Sequence, residues 1–262
     1  MNNRIANKAE IEKSSVNDRS VVRAGKILEC FISGDNKELG ISELANLTEL
    51  SLSTVHRIVQ SLVEMDMLQQ SETTGKYCLG GMAVMLGRRA LQLRGLDIQA
   101  YPALYNIVQA TGEGANLGVL VQGKIVYIQR VFGTHPLRTD FPIGTDAPAH
   151  CSAIGKAILA FSDEEVIDFC LQTDFSARTK KTITNRESLL EELRVTKERG
   201  YSLDDEELIE GITCIGAPIF FEGRVVAAVA IQAPTVRMTR EKIQTDAPQV
   251  IQTAKDITNW IK

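Results

Sequence analysis

The chain has no apolar stretch close to the roughly 20 residues that a membrane-crossing helix needs. Its longest such run, Val225 to Ile231, is short, β-branched and alanine-rich, which suits a buried strand. Residues 1–19 also lack the pattern of a secretory leader, being polar and mixed in charge without a basic segment followed by an apolar one, so none is expected there. A cytoplasmic location with no membrane partner is therefore expected. The five cysteines (Cys30, Cys78, Cys151, Cys170 and Cys214) include no CxxC pair. An odd count at irregular spacing argues against a disulfide framework and against a structural zinc site, so most should be buried thiols. Nor is there the positive excess of a protein held to nucleic acid by bulk attraction. Residues 1–98 carry 12 Lys+Arg and 12 Asp+Glu, and the remainder carries 17 against 21. A nucleic-acid function would need its positive charge gathered on one face, and two copies acting together. Internal repeats and low-complexity tracts are also absent.

What remains is an ordinary globular composition, 44% hydrophobic and 24% charged over 262 residues, long enough for two domains with separate cores. Residues 1–19 have no sustained period and read as a flexible arm. From Ser20, a plausible helix cap, Val21, Val22, Ala24, Ile27, Leu28 and Phe31 recur at helical spacing, and Gly34-Asp35-Asn36 ends the run. A short helix over residues 41–47 should turn Leu44, Ala45 and Leu47 inward. After a break at Thr48-Glu49-Leu50, Ser51 can cap a longer helix whose Val55, Ile58, Val59, Leu62 and Val63 form one buried stripe. Two short strands, 67–70 and 76–79, are joined by Glu72-Thr73-Thr74-Gly75, with Lys76 at the hairpin tip. Three helices followed by a β-hairpin make a winged helix-turn-helix over residues 20–80. Residues 81–99 form a linker helix, either a dimer contact or an amphipathic helix packed on its own subunit.

Residues 100–262 read as mixed α and β. A helix at 102–111 precedes strands at 116–121 and 125–131. Helices follow near 154–161, 163–172 and 188–200, then strands at 214–220 and 225–232, and a last helix over 240–261. Strands joined as hairpins predict an antiparallel sheet flanked by helices, so the whole chain is of the α+β class.

The helix entered at Ser51 carries Ser53, Thr54, His56, Arg57, Gln60 and Ser61 off its buried stripe, with no carboxylate before Glu64. Arginine can pair with guanine and glutamine with adenine in a major groove, while hydroxyls bind phosphates or base edges. Such a face also occurs on any solvated helix; its place between a tight turn and a hairpin favours DNA. Arg57 is expected to read a base, and Ser53, Thr54 and Lys76 to hold the backbone.

The runs Gly40 to Ala45, Leu52 to Leu62 and Lys76 to Gly80 resemble the amino-terminal domain of the IclR family of regulators. The segments Pro148 to Ala160, Arg199 to Glu207 and Glu210 to Ile219 resemble the sensor domain of that family, and the match spans about residues 20–260. The resemblance implies a GAF-like sensor domain, a double-stranded operator partner, a homodimer or tetramer, and no cofactor. It further implies effector contacts at Ala153, Ile154, Asp204, Cys214, Ala230 and Gln232. Some relatives have serines at the last two places, so hydroxyl donors for a small oxo-acid are partly missing here. The expected function is ligand-controlled transcription, with repression of a catabolic operon relieved by a small carboxylate; the family also includes activators.

Read without the resemblance, these segments stay open. Ser152 to Ile154 is an anion site at a helix start or only a cap. Asp204-Asp205-Glu206-Glu207 is a pocket wall or a solvated loop, and Cys214 a ligand contact or core. Two other function classes compete with the regulator: a sensor acting through protein partners alone, and a thiol enzyme using Cys151 beside His150. No oriented third group accompanies that pair. His150, Cys151, Asp204 and Cys214 fit no standard zinc spacing, and His135 has no evident metal partners.

Overall fold

The structure, a computed structural model, describes residues 19–32, 38–92, 96 and 100–261. The chain divides into two compact units, up to Arg88 and from Arg89 onward. The expected arm lies outside the described residues except for Arg19. So do Gly34-Asp35-Asn36 and most of residues 93–99.

In the first unit, α1 (Arg19–Glu29), α2 (Ile41–Thr48) and α3 (Leu52–Glu64) precede a hairpin of β1 (Leu68–Gln70) and β2 (Tyr77–Leu79). Ser20 lies inside α1 and does not cap it; the helix ends at Glu29 and runs into turns at residues 30–32. Helix α2 is capped in reverse, its Glu43 carboxylate accepting from the Gly40 amide at 2.6 Å. Glu49 takes a left-handed backbone (φ 57°), which turns the chain from α2 into α3 within three residues. Ser51 then caps α3, its hydroxyl accepting from the Thr54 amide at 3.3 Å. Val55, Ile58, Val59 and Leu62 are buried as expected, against Ile27, Leu44 and Tyr77. Leu47, expected inward, is 62% exposed. The inward face of α2 passes through Leu44, Ala45 and Thr48, and the Thr48 hydroxyl is accommodated by donating to the Leu44 carbonyl. Leu39 pairs with Tyr77 through two backbone bonds, so the stretch ahead of α2 is stitched to the wing. Helix α4 (Gly81–Gln92) follows and has no buried residue.

The second unit is built on one six-stranded antiparallel sheet. Its elements in chain order are α5 (Ala100–Thr111), β3 (Gly114–Val121), β4 (Lys124–Val131), β5 (Asp146–Pro148), α6 (Ala153–Leu159), α7 (Glu164–Thr173), α8 (Arg186–Arg199), β6 (Ser202–Asp205), β7 (Ile212–Phe221), β8 (Arg224–Pro234) and α9 (Arg240–Trp260). The strand order is β5-β4-β3-β8-β7-β6. The β3–β4 and β7–β8 hairpins turn on Gln122-Gly123 and Glu222-Gly223, all four residues at positive φ, which matches the twist of the flanking strands.

Both sheet faces are covered, so the strands alternate large with small instead of apolar with polar. Leu117, Ile215, Val229 and Ile231 face one core with α5 and α9. The alternate positions Gly118, Gly216, Ala228 and Ala230 face α6. There is no room for more: a Cβ on Gly216 would stand 2.8 Å from the Ala153 carbonyl, and one on Gly118 would stand 3.1 Å from Ile154. The small stripe thus lets the start of α6 rest directly on the sheet. The acidic run, one reading of which was a solvated loop, instead begins in edge strand β6. Ser202 and Asp204 point inward from it, while Asp205 points out.

Candidate functional site

The polar side of α3 faces solvent. Ser53, His56, Arg57, Gln60 and Ser61 are exposed and Thr54 is half-buried. His56 and Arg57 are therefore free to meet another surface. The hydroxyl of Ser51 is occupied within the cap, in contact with those of Ser53 and Thr54. Gln60 donates to the Tyr77 hydroxyl at 3.3 Å, which orients its amide along the helix. Lys76 departs from expectation. It is not at the hairpin tip, which the turn at residues 72–75 forms, and its ammonium pairs with Glu43 at 3.1 Å. The carboxylate that caps α2 thus also neutralises Lys76, because the Leu39–Tyr77 pairing brings the wing against α2.

In the second unit, the six positions Ala153, Ile154, Asp204, Cys214, Ala230 and Gln232 converge on one cavity. Ala153 and Ile154 enter from the start of α6, Asp204 from β6, Cys214 from β7, and Ala230 and Gln232 from β8. The register places Asp204 opposite Cys214, and Cys214 opposite Gln232. Ser152 completes this wall but keeps its hydroxyl as a cap, accepting from the Gly155 amide. Sequence reasoning missed four wall residues: Asn116, Tyr127, Phe141 and Leu208. Asn116 lies on β3, an expected strand, and its register opposite Ala230 could have pointed to it. Its amide donates to the Gln232 carbonyl oxygen at 3.0 Å, while its own Oδ1 is buried without a partner. As built, the cavity holds only about 10 Å3, room for about one water.

Asp204 is the charged group of the wall. Burial pushes its carboxyl up to about 7, although the amides of Glu207 and Leu208 donate to its Oδ1 at 2.7 and 3.3 Å. The nearest cation, Lys156 on α6, is fully buried and committed to Glu207, with Glu192 3.5 Å from its Nζ. Lys156 does not line the cavity. A side chain that any pattern reading places on the outside of a helix is here an internal counter-ion, invisible in the sequence because its partners come from α8 and the turn after β6.

The geometry removes the thiol-nucleophile reading. Cys151 is sealed from solvent, and burial pushes its thiol up to about 12, far from a thiolate at neutral pH. His150 turns away: its Nε2 contacts the Ser176 carbonyl at 3.1 Å and its ring packs edge-on against Phe175. Among the described residues, no group of three His, Cys, Asp or Glu side chains could hold a metal ion, and no helix is long and apolar enough to cross a membrane.

The chain matches two family models: the IclR helix-turn-helix domain over residues 20–72, and the bacterial transcriptional regulator IclR C-terminal domain over residues 88–259. The transcriptional repressor IclR of Escherichia coli is 35% identical over 244 residues, covering 92% of this chain and 89% of that protein. The Escherichia coli regulator KdgR is 34% identical over 242 residues, 90% of each. Among solved structures, the Thermotoga maritima IclR superposes with a TM-score of 0.68 at 28% identity, over 93% of this chain and 98% of that one. An IclR homologue from Microbacterium hydrocarbonoxydans, solved in complex with 4-hydroxybenzoate, shares the fold with a TM-score of 0.79 at 24% identity, over 92% and 98%.

Proposed function

The chain belongs to the IclR family and is a DNA-binding transcriptional regulator, not an enzyme, and from that premise we propose that it represses a catabolic operon in the cytoplasm until a small carboxylate enters the C-terminal cavity. The observation that carries the DNA-reading assignment is the outer face of α3. It presents an imidazole, a guanidinium and an amide in succession, with no carboxylate before Glu64. Arg57 is assigned to guanine acceptors, with His56, Gln60 and Ser61 beside it in the groove, and Ser53 and Thr54 to phosphate. Ser51 sets the start of the helix. Lys76 reaches a phosphate only by giving up Glu43.

The near-neutral charge of residues 1–98 makes each half-site weak, so recognition is assigned to a homodimer, or a tetramer, on a two-fold operator. The exposed apolar side chains of α4 support a second copy as the partner. The cavity wall supplies the side-chain amides of Asn116 and Gln232 and the carboxyl of Asp204 but no cation, which suits a small acid held by dipoles and by the proton that burial keeps on Asp204. The 4-hydroxybenzoate bound to the Microbacterium homologue supports an organic acid as the class. Ala230 and Gln232 distinguish this cavity from those with serines there. The ligand acts by binding one arrangement of the oligomer better than another.

The test is operator retention by Arg57→Ala. Loss of specific binding with fold and oligomer intact is the expected result; specific binding at wild-type strength would reject Arg57 as the reading residue. A thermal-shift screen of organic acids on the same protein addresses the sensor, since a binder raises apparent stability.

A further inference from the structure

A cavity of about 10 Å3 cannot admit even a two-carbon acid, yet beside it lies an open groove of about 430 Å3. The two spaces share three wall residues: Tyr127, Phe141 and Leu208. Tyr127 is fixed on β4, with Phe141 stacked on it at 5.1 Å between ring centres. Phe141 and Leu208 come from segments without regular structure, residues 132–145 and 206–211. Loops are the parts of a fold that open at least cost.

Two features bind these loops to the site. The Gly144 amide donates to the Tyr127 carbonyl and the Tyr127 amide to the Thr145 carbonyl; with the Arg130–Asp140 ion pair and the Thr134 amide donating to the Gly112 carbonyl, these few contacts hold the loop carrying Phe141. On the other side, the Asp204 carboxylate inside the cavity accepts from the Leu208 amide. A ligand that competes for Asp204 therefore loosens the Leu208 side of the partition.

We propose that the inner cavity and the outer groove are two chambers of one ligand site, with Phe141 and Leu208 as the door between them. The ligand is an elongated molecule whose polar head lies inside and whose body lies in the groove. This rests on the sensor reading above and adds to it a second subsite and a length requirement. The inner chamber offers hydrogen-bonding groups, Asn116, Gln232 and Asp204. The groove offers apolar Ile209 and the aliphatic backs of residues paired at its rim, Lys124 with Asp146 and Arg178 with Asp174. The inner chamber thus selects the end group and the groove selects length.

Cys214, on the inner wall, lets the full-length protein report on the door without a known effector. Two thiosulfonate reagents, one methyl and one benzyl, each form a disulfide with its Sγ and expel methanesulfinate. Peptide mapping follows Cys214 against Cys170, which is buried outside this cavity and reports general loosening. Phe141→Ala should speed labelling of Cys214 by about tenfold with both reagents and leave Cys170 unchanged, because only the local opening has become easier. Thr145→Trp, at the exposed rim of the groove, should slow the benzyl reagent by about tenfold and the methyl reagent far less. Should Cys214 keep pace with Cys170 in all three proteins, or Thr145→Trp slow both reagents equally, the two-chamber site is wrong. Neither result depends on which metabolite is sensed. A failure of every organic acid in the thermal-shift screen would count against the sensor reading and leave the door standing.

Discussion

Asp204 combines two demands that ordinarily conflict. It sits sealed in the wall of a largely apolar cavity, and it anchors the turn after β6 through two backbone amides. Burial raises its carboxyl to about 7 in the folded chain, whereas in the unfolded chain it titrates near 4. Between those values the folded state holds a proton that the unfolded state does not, so stability falls as pH rises and the full loss is reached above pH 7. Glu207 is raised by the same cause and adds to the slope, while His150, lowered by burial, opposes it by losing stability as pH falls below its unfolded value. Asp204→Asn retains an oxygen for both amides and removes the charge. The expected outcome is a melting temperature that declines less from pH 5 to pH 8 than that of wild type, with a difference at pH 8 on the order of a few kcal/mol. Thermal unfolding of the two proteins across that range checks it. Parallel curves would mean that Asp204 is solvated and ionised throughout.

At the level of elements, the sheet explains why the cavity exists where it does. Small residues on one face bring α6 down onto β7, and the space left at its start is the site. Gly216→Ala should push the start of α6 away from the sheet, since the new Cβ meets the Ala153 carbonyl and the Ser202 hydroxyl at under 3 Å. Overpacking of this kind costs about 1–3 kcal/mol. Gly87→Ala, on the exposed face of α4 with nothing within 4 Å, should stabilise by up to about 1 kcal/mol. Urea denaturation of the two variants should therefore shift in opposite directions, and a shared sign would refute the packing argument.

The same elements show what a sequence can disclose. The stripe of α3 was legible because one apolar period matched one buried face, and the hairpins were legible from their glycines. Strand β6 was not, because its inward positions are Ser202 and Asp204, so a search for alternating hydrophobicity finds nothing there. Strand β5 escaped for a different reason: it has only three residues and ends on Pro148, tolerated because it lies at the sheet edge. Of the cavity, the six wall positions carried over by family resemblance converge. Phe141 and Leu208 had no signal, since their part depends on loops folding over a site assembled from distant strands.

For the whole molecule, the decisive quantity is how many copies grip the operator. The first 98 residues are charge-balanced and Lys76 is paired with Glu43, so one unit brings no net positive charge to phosphate. A single such unit is expected near the non-specific regime, with Kd on the order of 10⁻⁴ to 10⁻⁶ M at physiological salt. Joining two units on one rigid dimer makes the second binding event intramolecular and raises affinity by about 10²- to 10⁴-fold with no added interface. The surface assigned to that junction is α4, where Val84, Met85 and Leu86 are all more than half exposed. Met85→Glu combined with Leu86→Glu sets like charges against each other across a two-fold junction, yet touches no core residue. The double variant should therefore keep the melting behaviour of its second unit, lower its mass in light scattering, and bind operator at least about 100-fold more weakly. Because fewer phosphates would be engaged at once, its affinity should also depend less steeply on salt, by about 0.9 in the logarithmic slope for each phosphate left unneutralised. If mass and operator affinity were both unchanged, α4 would not be the junction, and the charge-poor half of the chain would have to grip DNA by some other surface.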